Sequence, residues 1–207
     1  MFTAMKRPSL PPLVSGLRVG LFGGSFNPPH EGHMLVAETA LRRLGLDRLW
    51  WLVTPGNPLK DVSGLPSQEA RMEACRALIG HEPRILVTGI EREIGTRYTA
   101  ETIRFLKARA PAVNFVWIMG ADNLVAFHRW QDWRWIVENV PIAIIDRPGS
   151  TLKAAASTAA RTYAAYRIDE SDAPRLASLA APRWIFLHGP RSNQSSTKLR
   201  AGSLKSG

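Results

Sequence analysis

The sequence contains one cysteine, Cys75, among its 207 residues. A single thiol excludes an intramolecular disulfide and any metal site built from several thiolates. Met72, Leu78 and Ile79 surround Cys75 at helical spacing. We therefore expect a small buried side chain rather than a catalytic nucleophile.

Long apolar runs are also missing. No window approaches the roughly 18 to 20 apolar residues that span a bilayer, and residues 1–16 carry prolines where a signal peptide has a continuous apolar stretch. We expect a cytoplasmic protein with a disordered arm at 1–16 and a single domain at 17–207.

Acidic residues are outnumbered: 27 Lys and Arg stand against 17 Asp and Glu, a formal net charge of +10. This excess favours anionic partners such as nucleotides, nucleic acid or an acidic membrane surface. The basic residues are scattered and aromatic residues make up only 8%, which disfavours a nucleic-acid-binding module. That alternative predicts salt-sensitive binding to random oligonucleotides. Composition does not reveal the oligomeric state.

Short apolar runs alternate with helical patterns along the chain. The helical patterns include a stripe that begins near Met34 and ends at Gly45, and two further helices for which Ser67 and Thr99 are candidate N-caps. The alternation predicts an α/β fold with a doubly wound, mostly parallel sheet. The Ala-rich segment 153–181 is predicted to be helix with a break near 172–174, and it shows no site. Six runs lack polar alternation, as strands covered on both faces do: 18–22, 49–54, 84–88, 114–119, 142–146 and 184–188.

Residues 23–33, with the sequence GGSFNPPHEGH, follow the first predicted strand and precede a helix. They contain neither the Gly-x-Gly-x-x-Gly fingerprint nor the Gly-Lys-Ser/Thr of a Walker loop. Gly23 and Gly24 let the backbone approach a ligand, while His30 and His33 add donors beside a helix N-terminus. The turn therefore predicts a phosphate site. Two unrelated surface histidines or a metal-binding pair are the alternatives, although no third His or Cys is placed to complete a zinc site.

The same turn resembles the Gly-x-Phe-x-Pro-x-His-x-Gly-His signature of the nucleotidylyltransferase superfamily, and residues 195–200, SSTKLR, resemble its second signature. The segments 54–60, 98–99, 119–135 and 146–149 are similar to those of bacterial nicotinate-nucleotide adenylyltransferases. The resemblance implies a Rossmann-like nucleotidylyltransferase fold. It also implies transfer of AMP from ATP to nicotinate mononucleotide, which forms deamido-NAD and pyrophosphate in NAD biosynthesis.

The resemblance also implies a set of site residues. Those expected to bind ATP are Gly23, Gly24, Ser25, Phe26, His30, His33, Gly120, Asp122, Ser195, Ser196, Thr197 and Arg200. Those expected to bind nicotinate mononucleotide are Lys60, Tyr98, Thr99, Asp122 and Trp130. Catalysis is expected from His30, His33, Lys60 and Arg200, acting on the phosphates. Mg²⁺ is expected to arrive with ATP, without a metal site of the protein's own.

Two questions stay open in the sequence. With seven tryptophans in the chain, Trp130 can also be an ordinary core or surface aromatic. The same phosphate-binding groups would suit nicotinamide mononucleotide or phosphopantetheine as acceptor, because the choice between acid and amide depends on backbone donors that no motif reveals.

Overall fold

A parallel seven-stranded sheet lies at the centre of the fold. The computed structural model describes residues 8, 10–56, 64–146 and 151–188. All six predicted strands are confirmed, with bounds that shift by at most two residues. The seventh strand was missed because it is only two residues long and lies inside the Ala-rich segment. The strands are β1 Arg18–Gly24, β2 Arg48–Val53, β3 Ile85–Thr88, β4 Asn114–Gly120, β5 Ile142–Ile145, β6 Arg167–Ile168 and β7 Trp184–Leu187.

Helices connect the strands. The α-helices are α1 Glu31–Arg43, α2 Gln68–Ile79, α3 Ile90–Glu93, α4 Thr99–Arg109, α5 Ala121–Ala126, α6 Trp133–Asn139, α7 Thr151–Ala155 and α8 Thr158–Thr162. Short 3₁₀ helices span Phe127–Arg129, Ala164–Tyr166 and Glu170–Ser178.

The break predicted near 172–174 in the Ala-rich segment is wrong. A 3₁₀ helix runs through this position with Pro174 inside it. The helical segment is interrupted earlier, at Ser157, which takes an extended backbone and begins α8 by accepting a hydrogen bond from the Ala160 N–H at 3.3 Å. A serine in this role competes with helix continuation because its side chain replaces a backbone partner.

Two of the three predicted helix ends are confirmed. The Ser67 hydroxyl accepts from the Ala70 N–H at 3.1 Å at the start of α2, and Gly45 follows α1 with a φ of 60°, as a C′ glycine does. The Thr99 cap is wrong: Tyr98 is the extended residue before α4 and Thr99 is already helical. The Thr96 hydroxyl, which accepts from the Tyr98 N–H at 3.1 Å, stabilises the turn before this helix.

The strands lie in the order β3-β2-β1-β4-β5-β7-β6, and every pair is parallel. The chain moves from β1 towards β3 on one side and then crosses to β4 on the other side of β1. The topological switch point therefore lies between β1 and β4, where Phe22 pairs with Ile118. Segments that leave the carboxyl ends of these two strands are neighbours, and ligands bind at this position in open α/β sheets.

Helices cover both faces of the sheet. Trp50 and Trp51 are adjacent in β2 and both fully buried, yet they join different apolar clusters because successive strand residues point to opposite faces. Trp50 packs in the cluster that includes Ile103 and Leu106 of α4, whereas Trp51 packs in the cluster that includes Val36 of α1. The doubly wound architecture is confirmed. In the part of the chain that the structure describes, no helix has the length and apolar character required to cross a membrane.

Cys75 lies on the buried face of α2 with none of its surface exposed, and burial raises the pKa of its thiol to about 12. Because thiolate is the reactive form, we expect the folded protein to resist Ellman's reagent at pH 8. The same protein unfolded in guanidinium chloride should release one equivalent of chromophore. Rapid labelling of the folded protein would contradict this placement.

Candidate active site

The turn after β1 ends in a capping box formed by two histidines. His30 is the N-cap residue of α1, and its Nδ1 accepts a hydrogen bond from the Gly32 N–H at 3.1 Å. In return, Nδ1 of His33 accepts from the His30 N–H at 3.2 Å. Each imidazole therefore satisfies one backbone donor at the start of the helix, the role that Ser and Glu fill in the usual capping box.

These bonds determine where the ring protons lie. An Nδ1 that accepts a hydrogen bond needs its lone pair, so His30 and His33 are both neutral and carry their proton on Nε2. The two ring centroids are 3.9 Å apart, a separation at which two charged rings would repel. Each ring thus carries an N–H donor, a group that suits phosphate oxygens, and in this arrangement neither ring has a lone pair in its plane for a cation. No group of three His, Cys, Asp or Glu side chains within the described ranges could hold a metal ion.

Aromatic packing holds the turn in place. Phe26 has a φ of 46°, a left-handed conformation that is rare for an aromatic residue. Its ring is 1% exposed, stacks on Trp51 at 4.8 Å between centroids, and lies 4.9 Å from the His33 ring. Because the Phe26 ring is inside the protein, the contact with ATP that was predicted for this residue would have to be made by its backbone.

The glycine at position 23 has a packing role that the sequence did not reveal. A Cβ atom there would lie 2.7 Å from the Trp117 ring of β4. The absence of a side chain at Gly23 therefore lets the Trp117 ring lie against the backbone of the neighbouring strand β1.

Gly120 and Asp122 stand at the end of β4. Gly120 is the last residue of the strand and precedes α5, and Asp122 is exposed in the first turn of that helix. Because β4 pairs with β1, both residues lie beside the turn 23–33. The structure thus brings together the predicted ATP-binding groups from the first and fourth strands.

Helix α4, which begins with the predicted residues Tyr98 and Thr99, contacts the segment that follows Trp130. Tyr98 and Thr99 begin α4, and Trp130 lies just before α6. Two contacts between these elements hold them: Arg104 pairs with Asp132 at 2.8 Å, and the Gln131 amide donates to Glu101 at 3.5 Å.

Trp130 is half-buried, with its ring edge-to-face with Phe127 at 5.2 Å and with Trp117 at 6.2 Å. It is anchored in the core on one side and partly exposed on the other. The remaining predicted site residues, Lys60, Ser195, Ser196, Thr197 and Arg200, lie outside the described residues.

Sequence reasoning missed two buried charged residues at this edge of the sheet. Glu91, on α3, is 4% exposed, and burial raises the pKa of its carboxyl group to about 7, partly offset by the Thr54 and Thr102 hydroxyls. Arg71, on α2, is 3% exposed. Spacing in the sequence could have indicated that both residues are buried. Arg71 lies on the same helical stripe as Cys75, and Glu91 follows a buried isoleucine.

The fold and this site define a class of protein. Residues 21–202, which carry nearly all of the doubly wound parallel sheet and the histidine pair at its switch point, match the family described as cytidylyltransferase-like, a class of nucleotidyltransferases. The chain belongs to the nicotinate-nucleotide adenylyltransferase family. It is 62% identical over 182 residues to a probable member from Agrobacterium fabrum, covering 88% of this chain and 97% of the relative. It is 60% identical over 191 residues to one from Rhizobium meliloti, covering 92% and 100%.

Solved structures show the same fold. The Plasmodium falciparum nicotinic acid mononucleotide adenylyltransferase complexed with NaAD superposes with a TM-score of 0.67 at 18% identity, over 89% of this chain and 83% of that one. A putative nicotinate-nucleotide adenylyltransferase from Vibrio parahaemolyticus gives 0.56 at 15% identity, over 92% and 88%.

Glu91 should make stability depend on pH. Below pH 4.5 its carboxyl group is protonated in both the folded and unfolded protein; between there and about pH 7 only the folded protein keeps the proton. The free energy of unfolding should therefore fall as pH rises through this window, by about 3 kcal/mol from this group. We expect urea unfolding of wild type and Glu91→Gln to diverge by that amount between pH 4.5 and 8. Glu73→Gln, at an exposed position of α2, is the control, and a constant difference for Glu91→Gln would contradict the assignment.

Proposed function

We propose that this protein transfers AMP from ATP to nicotinate mononucleotide, releasing pyrophosphate and deamido-NAD. The observation that carries the proposal is the pair of neutral imidazoles, His30 and His33, whose Nδ1 atoms are occupied by backbone donors at the switch point of the sheet. Phosphoryl and nucleotidyl transfer need positioned donors more than covalent chemistry from the protein. This site offers such donors.

The choice of substrates is supported by the relatives. The curated relatives are named as nicotinate-nucleotide adenylyltransferases, and the Plasmodium falciparum protein of the same fold was solved with NaAD. The choice of acid over amide acceptor rests on this support and not on a contact in the described residues.

The reaction is an in-line displacement at the α-phosphorus of ATP. A phosphate oxygen of nicotinate mononucleotide forms a new bond to the α-phosphorus. The bond between the α-phosphorus and the oxygen that bridges it to the β-phosphate breaks, and the electron pair leaves with pyrophosphate. The attacking phosphate is already ionised, so no general base and no protein nucleophile are needed. Catalysis consists of alignment and of stabilising the charge that develops on the leaving group.

The residues divide this work. The Nε2–H groups of His30 and His33 hydrogen-bond the phosphate oxygens on which charge accumulates. Lys60 and Arg200 act with them, and Ser195, Ser196 and Thr197 hold the triphosphate from the C-terminal signature. The divalent ion, Mg²⁺ in this proposal, is part of the Mg-ATP substrate and neutralises triphosphate charge.

The second substrate occupies the region between α4 and the Trp130 segment. Trp130 offers the exposed part of a ring that is anchored by Phe127, and an electron-rich face of this kind suits a cationic pyridinium. Tyr98 and Thr99 begin α4, the helix that contacts Gln131 and Asp132, and the exposed Asp122 can accept hydrogen bonds from ribose hydroxyls.

The direct experiment measures pyrophosphate release from Mg-ATP with three acceptors in separate reactions: nicotinate mononucleotide, nicotinamide mononucleotide and phosphopantetheine. We expect nicotinate mononucleotide to give by far the highest kcat/KM. A preference for another acceptor would leave the reaction class standing and replace the substrate. If none of the three acceptors gave pyrophosphate release, the proposed function would be refuted.

Replacing His33 by Ala should lower kcat on the order of 10²-fold, because it removes a preorganised donor to the leaving group. The same change removes the acceptor for the His30 N–H, so folding is checked by circular dichroism and thermal unfolding. His81→Ala is the matched control, since His81 is exposed and precedes β3 at the opposite edge of the sheet. Wild-type turnover of a folded His33→Ala protein would refute the role of the histidine pair.

Replacing Trp130 by Ala should chiefly raise KM for nicotinate mononucleotide, since the ring face is assigned to the pyridinium. Trp130→Phe keeps an aromatic face and should stay close to wild type. Steady-state kinetics with each substrate varied in turn separates the effects. An unchanged KM for the mononucleotide with a raised KM for ATP would sink this assignment and favour a core role for Trp130.

A further inference from the structure

Arg71 is a buried cation surrounded by backbone carbonyl groups. Its Nη1 donates to the Ser25 carbonyl at 2.7 Å, its Nε to the Pro66 carbonyl at 3.0 Å, and its Nη2 to the Pro55 carbonyl at 3.4 Å. The residue is 3% exposed. Of the ion pairs found among the described residues, none involves Arg71.

Such an arrangement is costly to maintain. Burying a charged group is strongly unfavourable unless hydrogen bonds or a counter-charge compensate. Here burial lowers the pKa of the guanidinium from its usual value, and the nearby Glu69 carboxylate offsets only part of this effect. An apolar side chain at this position of α2 would extend the stripe that holds Cys75 and Ile79. A pure packing role therefore does not explain an arginine.

The carbonyls that Arg71 binds belong to separate parts of the site. Ser25 lies in the turn 23–33, one residue before the left-handed Phe26 and five before His30. Pro55 lies in the segment that leaves β2 and continues towards Lys60. A planar guanidinium with donors in a fixed fork sets the distance between these two backbones, which a lysine ammonium cannot do in the same way.

A neighbouring side chain supports the same function. Gln68, one turn before Arg71 on α2, is buried and donates its amide N–H to the Val53 carbonyl at the end of β2. The first turn of α2 thus holds both the end of β2 and the loop that follows it.

We propose that Arg71 is a positioning residue for AMP transfer: its guanidinium holds the Ser25 and Pro55 carbonyls at the spacing that the triphosphate of ATP requires between the histidine turn and the segment after β2. This inference rests on the proposed function. The positive charge, which has no direct ion pair among the described residues, adds a favourable potential for polyphosphate at the same edge of the sheet.

The test compares Arg71→Ala, Arg71→Lys and the control Arg76→Ala, which removes an exposed arginine of the same helix that pairs with Glu73. We expect Arg71→Ala to lose on the order of 10²-fold in kcat, the scale of a small misplacement of reacting groups. Arg71→Lys keeps the charge without the fork and should stay well below wild type. Arg76→Ala should match wild type.

Chemical rescue separates positioning from a merely structural role. Millimolar guanidinium chloride, well below denaturing concentrations, should restore part of the kcat of folded Arg71→Ala, whereas the same concentration of potassium chloride should not. Three results would each overturn the proposal. The first is an unchanged kcat in Arg71→Ala, and the second is a wild-type kcat in Arg71→Lys. The third is no rescue by guanidinium, together with a kcat of Arg71→Ala that equals wild type once the unfolded fraction is taken into account. If Arg71→Ala does not fold, the kcat of folded Arg71→Lys decides alone.

The failure of this inference is distinguishable from failure of the proposed function. If wild type releases no pyrophosphate with any acceptor, the role of Arg71 is still tested by calorimetric titration with Mg-ATP. The affinity for Mg-ATP should depend on the spacing of the two segments that Arg71 holds. Weaker Mg-ATP binding by Arg71→Lys than by wild type would support the role of Arg71, and equal binding would overturn it.

Discussion

The hydrogen bonds from the Gly32 and His30 N–H groups to the two Nδ1 atoms are the interactions on which the site depends. They begin α1, and they place the proton of each imidazole on Nε2. They also couple the chemistry to the core, because Val36 and the other buried residues of α1 pack against the sheet that carries the turn. A ring held by its own helix-capping hydrogen bond cannot rotate freely, so the donors assigned to the phosphates are preorganised.

Around this pair the protein buries ionisable groups that a simple core would avoid. The Arg71 guanidinium is held by three carbonyls, and the Glu91 carboxyl group lies between Thr54 and Thr102 with a pKa raised to about 7 by burial. Both residues lie near the carboxyl ends of the first strands, and both reduce the stability that apolar residues would give there. The strained Phe26 is a third such feature. These departures from the rules of packing therefore lie where the segments proposed to bind substrate leave the sheet.

Most of the fold could be predicted because its signals are local. Apolar runs without alternation marked six strands, and Ser67 and Gly45 marked helix ends through their own side chain or backbone. The Thr99 cap failed since the preceding Thr96 hydroxyl already holds the Tyr98 N–H, and two-residue β6 has no pattern of its own. In the candidate site, the histidines were readable from their motif. Arg71 was not, because the carbonyl it binds on Ser25 is 46 residues away in the chain.

The sequence by itself determined the class of fold, the excess of positive charge and the residue types of the turn 23–33, since each is a property of composition or of neighbours in the chain. Only the tertiary structure decided which strands lie side by side, and so which segments share the switch point between β1 and β4. It also decided that Gly23 makes room for Trp117 and that both imidazoles are Nε2–H donors. The physical reason is the same in each case: tautomer, burial and spacing depend on partners that chain order does not specify.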